Sequence, residues 1–483
     1  MTGVQLPGQG TYTVDEYRWT APAQLTLPGG GRRNLDYDGY LRPSRIQGLD
    51  PATNPVQEDA YHYSAVDNIL NRATLRGEYG YDYDAADRLT GEDGPERAIH
   101  YAYDPVGNRL SETDSTATGA PPHTWEYDAN DRLLQRGPIH YSYDASGNLT
   151  LQHHAETGAE TRYRYDVDNR LIEVRNQHDA LVARYAYDPF GRRIRKTVGD
   201  VTTHYLYAEE GLVAELDAAG TVITSYGYAP DSVWGTNPLF IKQGNQFGYY
   251  HNDHLGTPQA ITAANGALLW SATYGAFGQA RVTTESTKNN LRFPGQYFDS
   301  ETGLHYNWHR YYNPGTGRYI TSDPIELRGG LNTYSYVDNN PLRWIDPEGL
   351  AKMCCRLLNS VAGSIGRQRH CYIVADEGTV YGLYPSDGKG VPGINDPRDT
   401  GGECFDCPAL QCDDQNECLR NAHNNYPVGG YSSLGPNSNT YAGTLASKCC
   451  KGGIPSGVSN APGVNDNPPS LPTPAGRNRR GRR

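Results

Sequence analysis

Two aspartates before residue 350 are of the type that can cleave a peptide bond without a cofactor. Asp323 lies in Ser-Asp-Pro and Asp346 lies in Ile-Asp-Pro. Two carboxylates held close together cannot both ionise, so one can supply a proton while the other activates a water molecule. Each Asp-Pro pair is also an ordinary start for a turn, so a purely structural role stays open.

The cysteines form a second set of candidate residues, and all nine lie beyond residue 350. Cys404 and Cys407 make a Cys-x-x-Cys pair that could bind zinc together with Cys412 and Cys418. Because Cys412 and Cys418 are not a second Cys-x-x-Cys pair, the usual zinc-ribbon spacing is absent. Disulfides are the alternative that we favour, since they suit a small domain in a periplasm or outside cells. We therefore expect no cofactor.

The composition favours a β-rich protein of several domains. The chain has 483 residues with 38 tyrosines, 55 glycines and 32 prolines, which favours strands and turns over long helices. A net charge of -12 gives no general attraction for nucleic acid, so we expect no specific nucleic-acid partner. No run of about 18 apolar residues predicts a membrane span. The N-terminus MTGVQLPGQG lacks Sec signal features, so we expect a non-Sec route of export.

A tyrosine-rich repeat recurs along the first half of the chain. Each copy alternates apolar and polar residues, as a half-buried strand does, and then reaches Tyr-Asp. The Asp and the Gly-Asn or Asp-Asn after it favour a tight turn, and Arg-Leu or Asn-Leu begins a return strand. We therefore predict β-hairpins of about 20 residues that bury their apolar faces by stacking. The copies are EYGYDYDAADRLTG (78–91), IHYAYDPVGNRLSE (99–112), TWEYDANDRLLQ (124–135), IHYSYDASGNLTL (139–151), TRYRYDVDNRLIE (161–173) and ARYAYDPFGRRIR (183–195).

These repeats resemble the YD repeats of Rhs proteins and of the C components of insecticidal toxin complexes. The resemblance covers residues 35–350 and implies a mainly β protein whose hairpins spiral into a hollow β-cocoon. We expect residues 35–247 to form the repeat sheet and residues 1–34 to be irregular. Complete cocoons use several times more repeats, so we expect a truncated or displaced shell, or a missing N-terminal portion.

A denser signature over residues 248–350 resembles the Rhs-associated core. It includes RYYNPGTGRYITSDPI and ends in NTYSYVDNNPLRWIDPEGL. In that family the core caps the shell and cuts its own chain after an Asp-Pro-x-Gly-Leu motif. The resemblance implies aspartyl-type autoproteolysis of the bond after Leu350, with Arg310 supporting Asp323 and Asp346. The released part would be a variable toxin held by the shell.

The cysteine-rich part is predicted to be a small α+β domain over residues 351–451. An alternating pattern with an Asp-Glu-Gly turn predicts a hairpin over 369–385. Short helices are predicted over 413–425 and 437–450. The remaining residues, 452–483, are rich in Pro, Gly and Asn and are predicted to be a disordered tail.

One pair of residues in this domain could form a nucleophile with its base. His370 opens the predicted hairpin, and Asn-Ser-Asn-Thr-Tyr-Ala (437–442) opens the second helix. The arrangement resembles the circularly permuted NlpC-type papain-like hydrolases, which include lecithin:retinol acyltransferase-like enzymes. The resemblance implies that Ser438 is a nucleophile and His370 its base, acting on amides or esters. The alternative is that Ser438 caps a helix and His370 is an ordinary strand residue.

The sequence thus predicts an Rhs-family polymorphic toxin of bacterial competition, secreted to release its C-terminal effector. Such a toxin implies a cognate immunity protein, and either secretion machinery or an upstream Rhs carrier component. We expect the effector to act in the target-cell periplasm, on a membrane or cell wall. The alternative is a cell-surface adhesion protein, similar in its shell to teneurins, with a non-catalytic disulfide-rich cap.

Overall fold

The chain divides into two compact units, Met1–Ala351 and Lys352–Arg483. In the first unit, the described residues contain no α-helix and two short 3-10 helices, Glu326–Gly329 and Val337–Asn339. None of the helices that the structure describes has the length and apolar character needed to cross a membrane. The computed structural model describes residues 3–350, except for 7, 20, 117–122, 230 and 231, and the strands given below for the second unit.

The first unit is built on one antiparallel sheet of 27 strands. Each strand pairs with its neighbours in the sequence, so the chain runs through the sheet as a continuous meander. The predicted mainly β shell of stacked hairpins is confirmed. The strands are β1 (Gly3–Leu6), β2 (Gly10–Arg18), β3 (Ala21–Thr26), β4 (Arg32–Tyr37), β5 (Pro43–Leu49), β6 (Pro55–Tyr63), β7 (Ile69–Thr74), β8 (Gly77–Tyr83), β9 (Leu89–Asp93), β10 (Ala98–Tyr103), β11 (Arg109–Asp114), β12 (His123–Tyr127), β13 (Leu133–Arg136), β14 (Ile139–Tyr143), β15 (Leu149–His154), β16 (Glu160–Tyr165), β17 (Leu171–Asn176), β18 (Leu181–Tyr187), β19 (Arg193–Val198), β20 (Val201–Ala208), β21 (Gly211–Leu216), β22 (Val222–Tyr228), β23 (Pro238–Gln243), β24 (Gln246–Asn252), β25 (Pro258–Thr262), β26 (Leu268–Tyr274) and β27 (Ala280–Glu285).

A tyrosine in each repeat fastens its strand to the preceding strand. The Tyr103 hydroxyl, at the end of β10, donates to the carbonyl of Leu89, the first residue of β9, at 2.8 Å. Tyrosine suits this position because its ring packs on the sheet while its hydroxyl reaches a backbone acceptor. The same hydrogen bond to the first residue of the preceding strand is made by Tyr63, Tyr83, Tyr127, Tyr165, Tyr187 and Tyr207.

The aspartate of each repeat closes one turn, and the residue four positions later reaches the next. Asp104 Oδ1 accepts the Asn108 N–H at 2.8 Å, and Oδ2 accepts the Asn108 side chain at 2.9 Å. The Asn108 amide also donates to Asp131 Oδ1 in the following turn, at 2.6 Å. Arg88, at the equivalent position, donates to the Asp104 carbonyl. We call these stacked turns the turn row: residues 64–68, 84–88, 104–108, 128–132, 144–148, 166–170 and 188–192.

The described residues between 3 and 34 include three complete strands, β1 to β3, and the start of β4, so the prediction of an irregular segment over 1–34 is wrong. Strands β2 and β3 pair antiparallel, and the side chain of Tyr12 is buried. The stretch Gly-Thr-Tyr-Thr-Val alternates as a strand does. This stretch has no Tyr-Asp pair, so the repeat pattern does not extend to it.

The sheet wraps back until its early strands touch its late ones. Arg33 Nη2 in β4 donates to the Asn252 carbonyl in β24 at 2.7 Å, and Gln57 Nε2 in β6 donates to the same carbonyl at 3.0 Å. Glu92 in β9 accepts the N–H of Ala276, which follows β26, at 3.1 Å. These buried polar contacts connect early and late strands and so help to hold the curvature of the sheet.

A second, four-stranded antiparallel sheet follows β27. The predicted division at residue 247 does not mark a change of sheet, because β24 to β27 continue the repeat sheet through Glu285. The strands of the second sheet are β28 (Tyr297–Asp299), β29 (Leu304–Asn307), β30 (Arg310–Asn313) and β31 (Arg318–Tyr319).

The segment that contains this second sheet lies on the turn row. Trp308 Nε1 donates to the carbonyl of Phe190 at 3.0 Å, and the Tyr334 hydroxyl donates to the carbonyl of Gly147 at 2.8 Å. Further along, Asn340 Nδ2 donates to Asn68 Oδ1 at 2.9 Å. The repeats therefore position the segment that contains both candidate aspartates.

The second unit contains a six-stranded antiparallel sheet. The predicted hairpin over 369–385 is confirmed, because β33 and β34 pair antiparallel within it. The strands are β32 (Lys352–Leu357), β33 (Arg369–Val374), β34 (Val380–Ser386), β35 (Lys389–Ile394), β36 (Glu403–Asp406) and β37 (Gly429–Gly430). The predicted helices over 413–425 and 437–450 and the predicted tail over 452–483 lie outside the described residues.

Candidate functional site

Arg310 brings the two candidate aspartates together. Its Nη2 atom lies 2.9 Å from Asp323 Oδ2 and 3.3 Å from Asp346 Oδ2. Each of the three residues is at most 4% exposed. Arg310 begins β30, whereas the two aspartates lie in irregular segments on either side of the 3-10 helices. The structure thus groups the three residues that the sequence named, and their catalytic role stays a prediction.

Asp346 is held by four hydrogen-bond donors. Its Oδ2 accepts the Tyr319 hydroxyl at 2.7 Å as well as Arg310. Its Oδ1 accepts the backbone N–H of Gly349 at 2.5 Å and that of Leu350 at 3.1 Å. A carboxylate offers about four lone-pair positions, so this one is saturated. Asp346 therefore fixes the backbone immediately before the bond that follows Leu350.

Asp323 makes fewer hydrogen bonds than Asp346, and its pKa is raised toward neutral pH. Burial raises the pKa of Asp323 to about 6, although the nearby Arg310 guanidinium acts in the opposite direction. Its Oδ1 accepts the N–H of Ile325 at 3.0 Å, and its own N–H donates to the carbonyl of Thr333 at 2.9 Å. A carboxyl group with a pKa near 6 exists in both protonation states around neutral pH. Asp323 is therefore the better suited of the two to transfer a proton.

Tyr319 and Asn307 complete the site and were not found from the sequence. The Arg310 guanidinium lies over the Tyr319 ring, 3.6 Å from its centroid. Asn307 Nδ2 donates to the Tyr319 hydroxyl and to the Asp346 carbonyl, each at 2.8 Å. Arg310 Nη1 also donates to the carbonyl of Thr333 at 3.1 Å. No signal singled out Tyr319, because it is one of 38 tyrosines.

Glu348 is a third carboxyl group near the site that the sequence did not indicate. Burial, together with the negative charge of Asp346, raises the pKa of Glu348 to about 7. Its carbonyl accepts the N–H of His309 at 3.4 Å. Burial and the Arg310 charge lower the pKa of His309 to about 4, so His309 is neutral at pH 7. Glu348 is therefore a further group whose protonation changes near neutral pH.

Arg310 lies between Asp323 and Asp346, and the expected proton sharing between the two aspartates stays a prediction. The described hydrogen bonds connect the two carboxylates through Arg310, and none connects one directly to the other. One guanidinium charge between two buried carboxylates reduces their repulsion. The two aspartates therefore have unequal surroundings, since Asp346 binds the backbone N–H groups of Gly349 and Leu350 and Asp323 does not.

The candidate residues of the second unit are placed only in part. His370 lies in β33 and Cys404 in β36, whereas Ser438, Cys407, Cys412 and Cys418 lie outside the described residues. The register sets Cys404 opposite Cys354. Within the part of the chain that the structure describes, no cluster of three or more His, Cys, Asp or Glu residues could hold a metal ion.

The YD-repeat sheet is shared with a known protein family. The family model described as Teneurin YD-shell matches residues 56–342. The chain belongs to the Teneurin YD-shell family. The match includes Arg310 and Asp323 and ends before Asp346.

Curated relatives of this YD-shell chain are large toxins and nucleases. It is 34% identical over 324 residues to "Double-stranded DNA deaminase toxin A" of Burkholderia cenocepacia, covering 60% of this chain and 22% of that protein. It is 33% identical over 386 residues to "Probable deoxyribonuclease RhsA" of Dickeya dadantii, covering 71% of this chain and 26% of that protein. The chain thus spans about a quarter of the length of these relatives, and it shares with them the shell of a polymorphic toxin.

A solved structure has the same shell fold. The protein in "Crystal Structure of TcdB2-TccC3" superposes with a TM-score of 0.50 at 18% identity, over 72% of this chain and 20% of that one. At this level of identity the likeness concerns the fold alone. It agrees with the predicted resemblance of the YD-shell chain to the components of toxin complexes.

Proposed function

We propose that the chain belongs to an Rhs-type polymorphic toxin that cleaves its own backbone after Leu350. The observation that carries this proposal is the contact of one Arg310 nitrogen with both Asp323 and Asp346. Asp346 also binds the N–H groups of Gly349 and Leu350, the two residues directly before the bond to be cut.

The chemistry requires one water molecule and one residue that moves a proton twice. Asp323 in its charged form takes a proton from water, and the resulting hydroxide attacks the carbonyl carbon of Leu350. Asp323 then gives this proton to the nitrogen of Ala351 as the C–N bond breaks. The products are a carboxyl group on Leu350 and an amine on Ala351. Arg310 and Asp346 position the reacting groups, which accounts for the need for a second carboxylate.

Self-cleavage is tested by asking whether the purified full chain contains two polypeptides. We expect a smaller species whose N-terminal sequence begins at Ala351, and a single intact chain for Asp323→Asn and for Asp346→Asn. Asp50→Asn is a matched control, because Asp50 also precedes a proline but is exposed in a distant turn. An intact wild-type chain with a folded shell would refute the proposal.

The proposed effector is the part released from the shell, residues 351–451 with the tail that follows. The names of the relatives specify different reactions, a DNA deaminase and a deoxyribonuclease. This variety supports a shell that carries interchangeable activities, so the shell cannot identify the reaction of this effector. A cognate immunity protein, an export machine or upstream carrier component, and periplasmic action in a target cell belong to the same proposal.

For the reaction of the effector, we propose a hydrolase that uses Ser438 with His370 as its base. The sequence pattern described above supports this pair, with targets that contain amide or ester bonds. Ser438→Ala and His370→Ala should abolish growth inhibition by the full chain, and Ser438→Cys should retain part of it because a thiolate is a good nucleophile. Full toxicity of a folded Ser438→Ala chain would favour the helix-cap alternative.

The cysteines of the effector are proposed to form disulfides. The register of β32 sets Cys355 opposite Cys371 and Cys354 opposite Cys404. Directly opposed residues of antiparallel strands have Cα atoms about 4.5–5.5 Å apart, within the range that a disulfide spans. Peptide mapping of exported protein before and after reduction should identify both pairs. Stoichiometric zinc with every thiol open to alkylation would instead support the metal alternative.

An adhesion protein with a teneurin-like shell remains the competing proposal for the whole chain. Its shell would have the same fold, but it would require neither an immunity protein nor cleavage after Leu350. Growth arrest on export of the full chain, relieved by a neighbouring immunity gene, would decide for the toxin. Stable cell-surface display of an intact, harmless chain would decide for adhesion.

A further inference from the structure

Two residues in the segment that contains the second sheet, Arg318 and Asn332, connect the candidate cleavage site to two turns of the turn row. Arg318 and Asn332 are each 5% exposed, and both contact the side chain of Asn108. Arg318 Nη1 donates to Asn108 Oδ1 at 2.9 Å, and Asn332 Nδ2 donates to the same oxygen at 2.7 Å. Arg318 Nη2 donates in addition to the carbonyl of Asp131 at 2.6 Å.

The Asn108 side chain is held from two neighbouring turns at once. Its Nδ2 group donates to Asp104 in its own turn at 2.9 Å and to Asp131 in the following turn at 2.6 Å. These bonds fix the orientation of the amide, which points Oδ1 toward Arg318. A turn that is not stacked against the next would lose the Asp131 contact that helps to orient Asn108, and Arg318 would lose the Asp131 carbonyl as an acceptor.

The other neighbours of Arg318 and Asn332 belong to the cleavage site. Arg318 directly precedes Tyr319, whose hydroxyl donates to Asp346 Oδ2 at 2.7 Å. Asn332 directly precedes Thr333, whose carbonyl accepts Arg310 Nη1 at 3.1 Å and the N–H of Asp323 at 2.9 Å. A shift of either residue therefore moves a direct partner of the candidate catalytic group.

Because Arg318 is charged and buried, it needs its hydrogen-bond acceptors in place. None of the ion pairs among the described residues includes Arg318, so its buried guanidinium depends on neutral oxygen acceptors and on the Tyr127 and Tyr334 rings, 4.9 and 5.6 Å away. A buried cation that lacks its acceptors is strongly unfavourable. Arg318 is thus expected to dock only where Asn108 and Asp131 are already in place.

We propose that Arg318 and Asn332 are positioning residues that make self-cleavage depend on correct stacking of the repeat turns. The inference rests on the proposed self-cleavage function and adds its regulation. The site is assembled when turns 104–108 and 128–132 lie in register, so the effector is separated from the chain only after this part of the shell has folded.

Asn108→Ala and Asn148→Ala form a matched pair for testing this coupling. Asn148 is equally buried, at 2% exposed, and donates to Asp144 at 2.9 Å and to Asn169 at 2.8 Å, so it connects its two turns as Asn108 does. Among the residues that the structure describes, no side chain after β27 donates a hydrogen bond to Asn148 Oδ1. Both substitutions remove an equivalent pair of contacts, one within the turn and one to the next turn. Only Asn108→Ala also removes the oxygen that accepts Arg318 and Asn332.

Cleavage is followed in time during cell-free synthesis of the full chain, by the appearance of the fragment that begins at Ala351. We expect Asn108→Ala to be at least about tenfold slower than Asn148→Ala, because hydrogen bonds to a charged donor are worth more than one factor of ten in an equilibrium. Arg318→Lys, which keeps a cation within reach of Asn108, should cleave faster than Arg318→Ala. Equal rates in the two asparagine variants would overturn the coupling while leaving self-cleavage intact, and an uncleaved wild type would overturn both.

Hydrogen exchange distinguishes loss of docking from loss of folding. In the uncleaved Asp323→Asn chain, adding Asn108→Ala should speed exchange of the Gly349 and Leu350 N–H groups that bind Asp346, while the strands of the repeat sheet stay protected. Adding Asn148→Ala should leave that exchange unchanged. Faster exchange throughout the sheet in Asn108→Ala, or unchanged exchange at Gly349 and Leu350, would contradict the proposal.

Discussion

The rate of self-cleavage should follow the ionisation of Asp323. Because burial raises the pKa of Asp323 to about 6, about one tenth of this residue is charged at pH 5 and about nine tenths at pH 7. If the charged form takes the proton from water, the rate rises about tenfold between these two values and then levels off. We do not expect Asp346 to replace it as the base, since four donors already occupy the lone-pair positions of its carboxylate.

The assay starts from unfolded chain, so that cleavage begins at a known time. Full-length protein is kept unfolded in urea with reductant. It is then diluted into buffers from pH 5 to 8, and samples taken over time are run on denaturing gels. The uncleavable Asp346→Asn chain serves as the folding control, with tryptophan fluorescence reporting a folded shell at each pH. Only rates from conditions in which this control is folded enter the profile.

A rate that falls as the pH rises above 6 would refute the assignment of Asp323 as the base. That result would mean that Asp323 must be protonated to act, so that the proton of water would go elsewhere. A second change near pH 7 would point to Glu348, whose pKa lies there because of burial and the Asp346 charge. Glu348→Gln should remove such a change and leave the one near pH 6.

Two substitutions test the geometry of the site directly. A Cβ atom at Gly329 would lie 2.2 Å from Asp323 Oδ2, so Gly329→Ala should displace this carboxylate and stop cleavage, whereas Gly39→Ala, with nothing within 4 Å, should cleave normally in the same gel assay. Tyr319→Phe keeps the ring and removes the donor to Asp346, so cleavage should slow about tenfold and thermal unfolding should show a loss of about 1.5–3 kcal/mol. Normal cleavage in either Gly329→Ala or Tyr319→Phe would show that the corresponding contact is not needed.

The repeats could be predicted from the sequence because their structure is determined locally. An alternating stretch predicts a strand, and an Asp with Asn or Gly after it closes a turn within five residues. The repeat pattern does not extend to the first strands, because β2 alternates but has no Tyr-Asp pair. The wrapping of the sheet could not be predicted, because contacts such as Arg33 with the Asn252 carbonyl depend on the accumulated twist of many strands.

The candidate site could be predicted in its residues but not in its arrangement. Asp323, Asp346 and Arg310 were named from motif and resemblance, and the structure groups them. The unequal surroundings of the two aspartates come from β30, β31 and the segment after them, which fold against each other and against distant turns. Tyr319 and Asn307 carry no sequence signal, since their role exists only once this packing has formed.

The contacts between core and turn row also limit how the number of repeats can change in evolution. One added hairpin displaces every later strand by about 10 Å, twice the spacing between neighbouring strands. In the segment that contains the second sheet, Asn340 contacts the turn at Asn68 and Trp308 contacts the turn at Phe190. A hairpin inserted between these two turns would break the contacts on one side of the insertion. Relatives of different shell length should therefore keep the number of repeats between Asn68 and Phe190 constant.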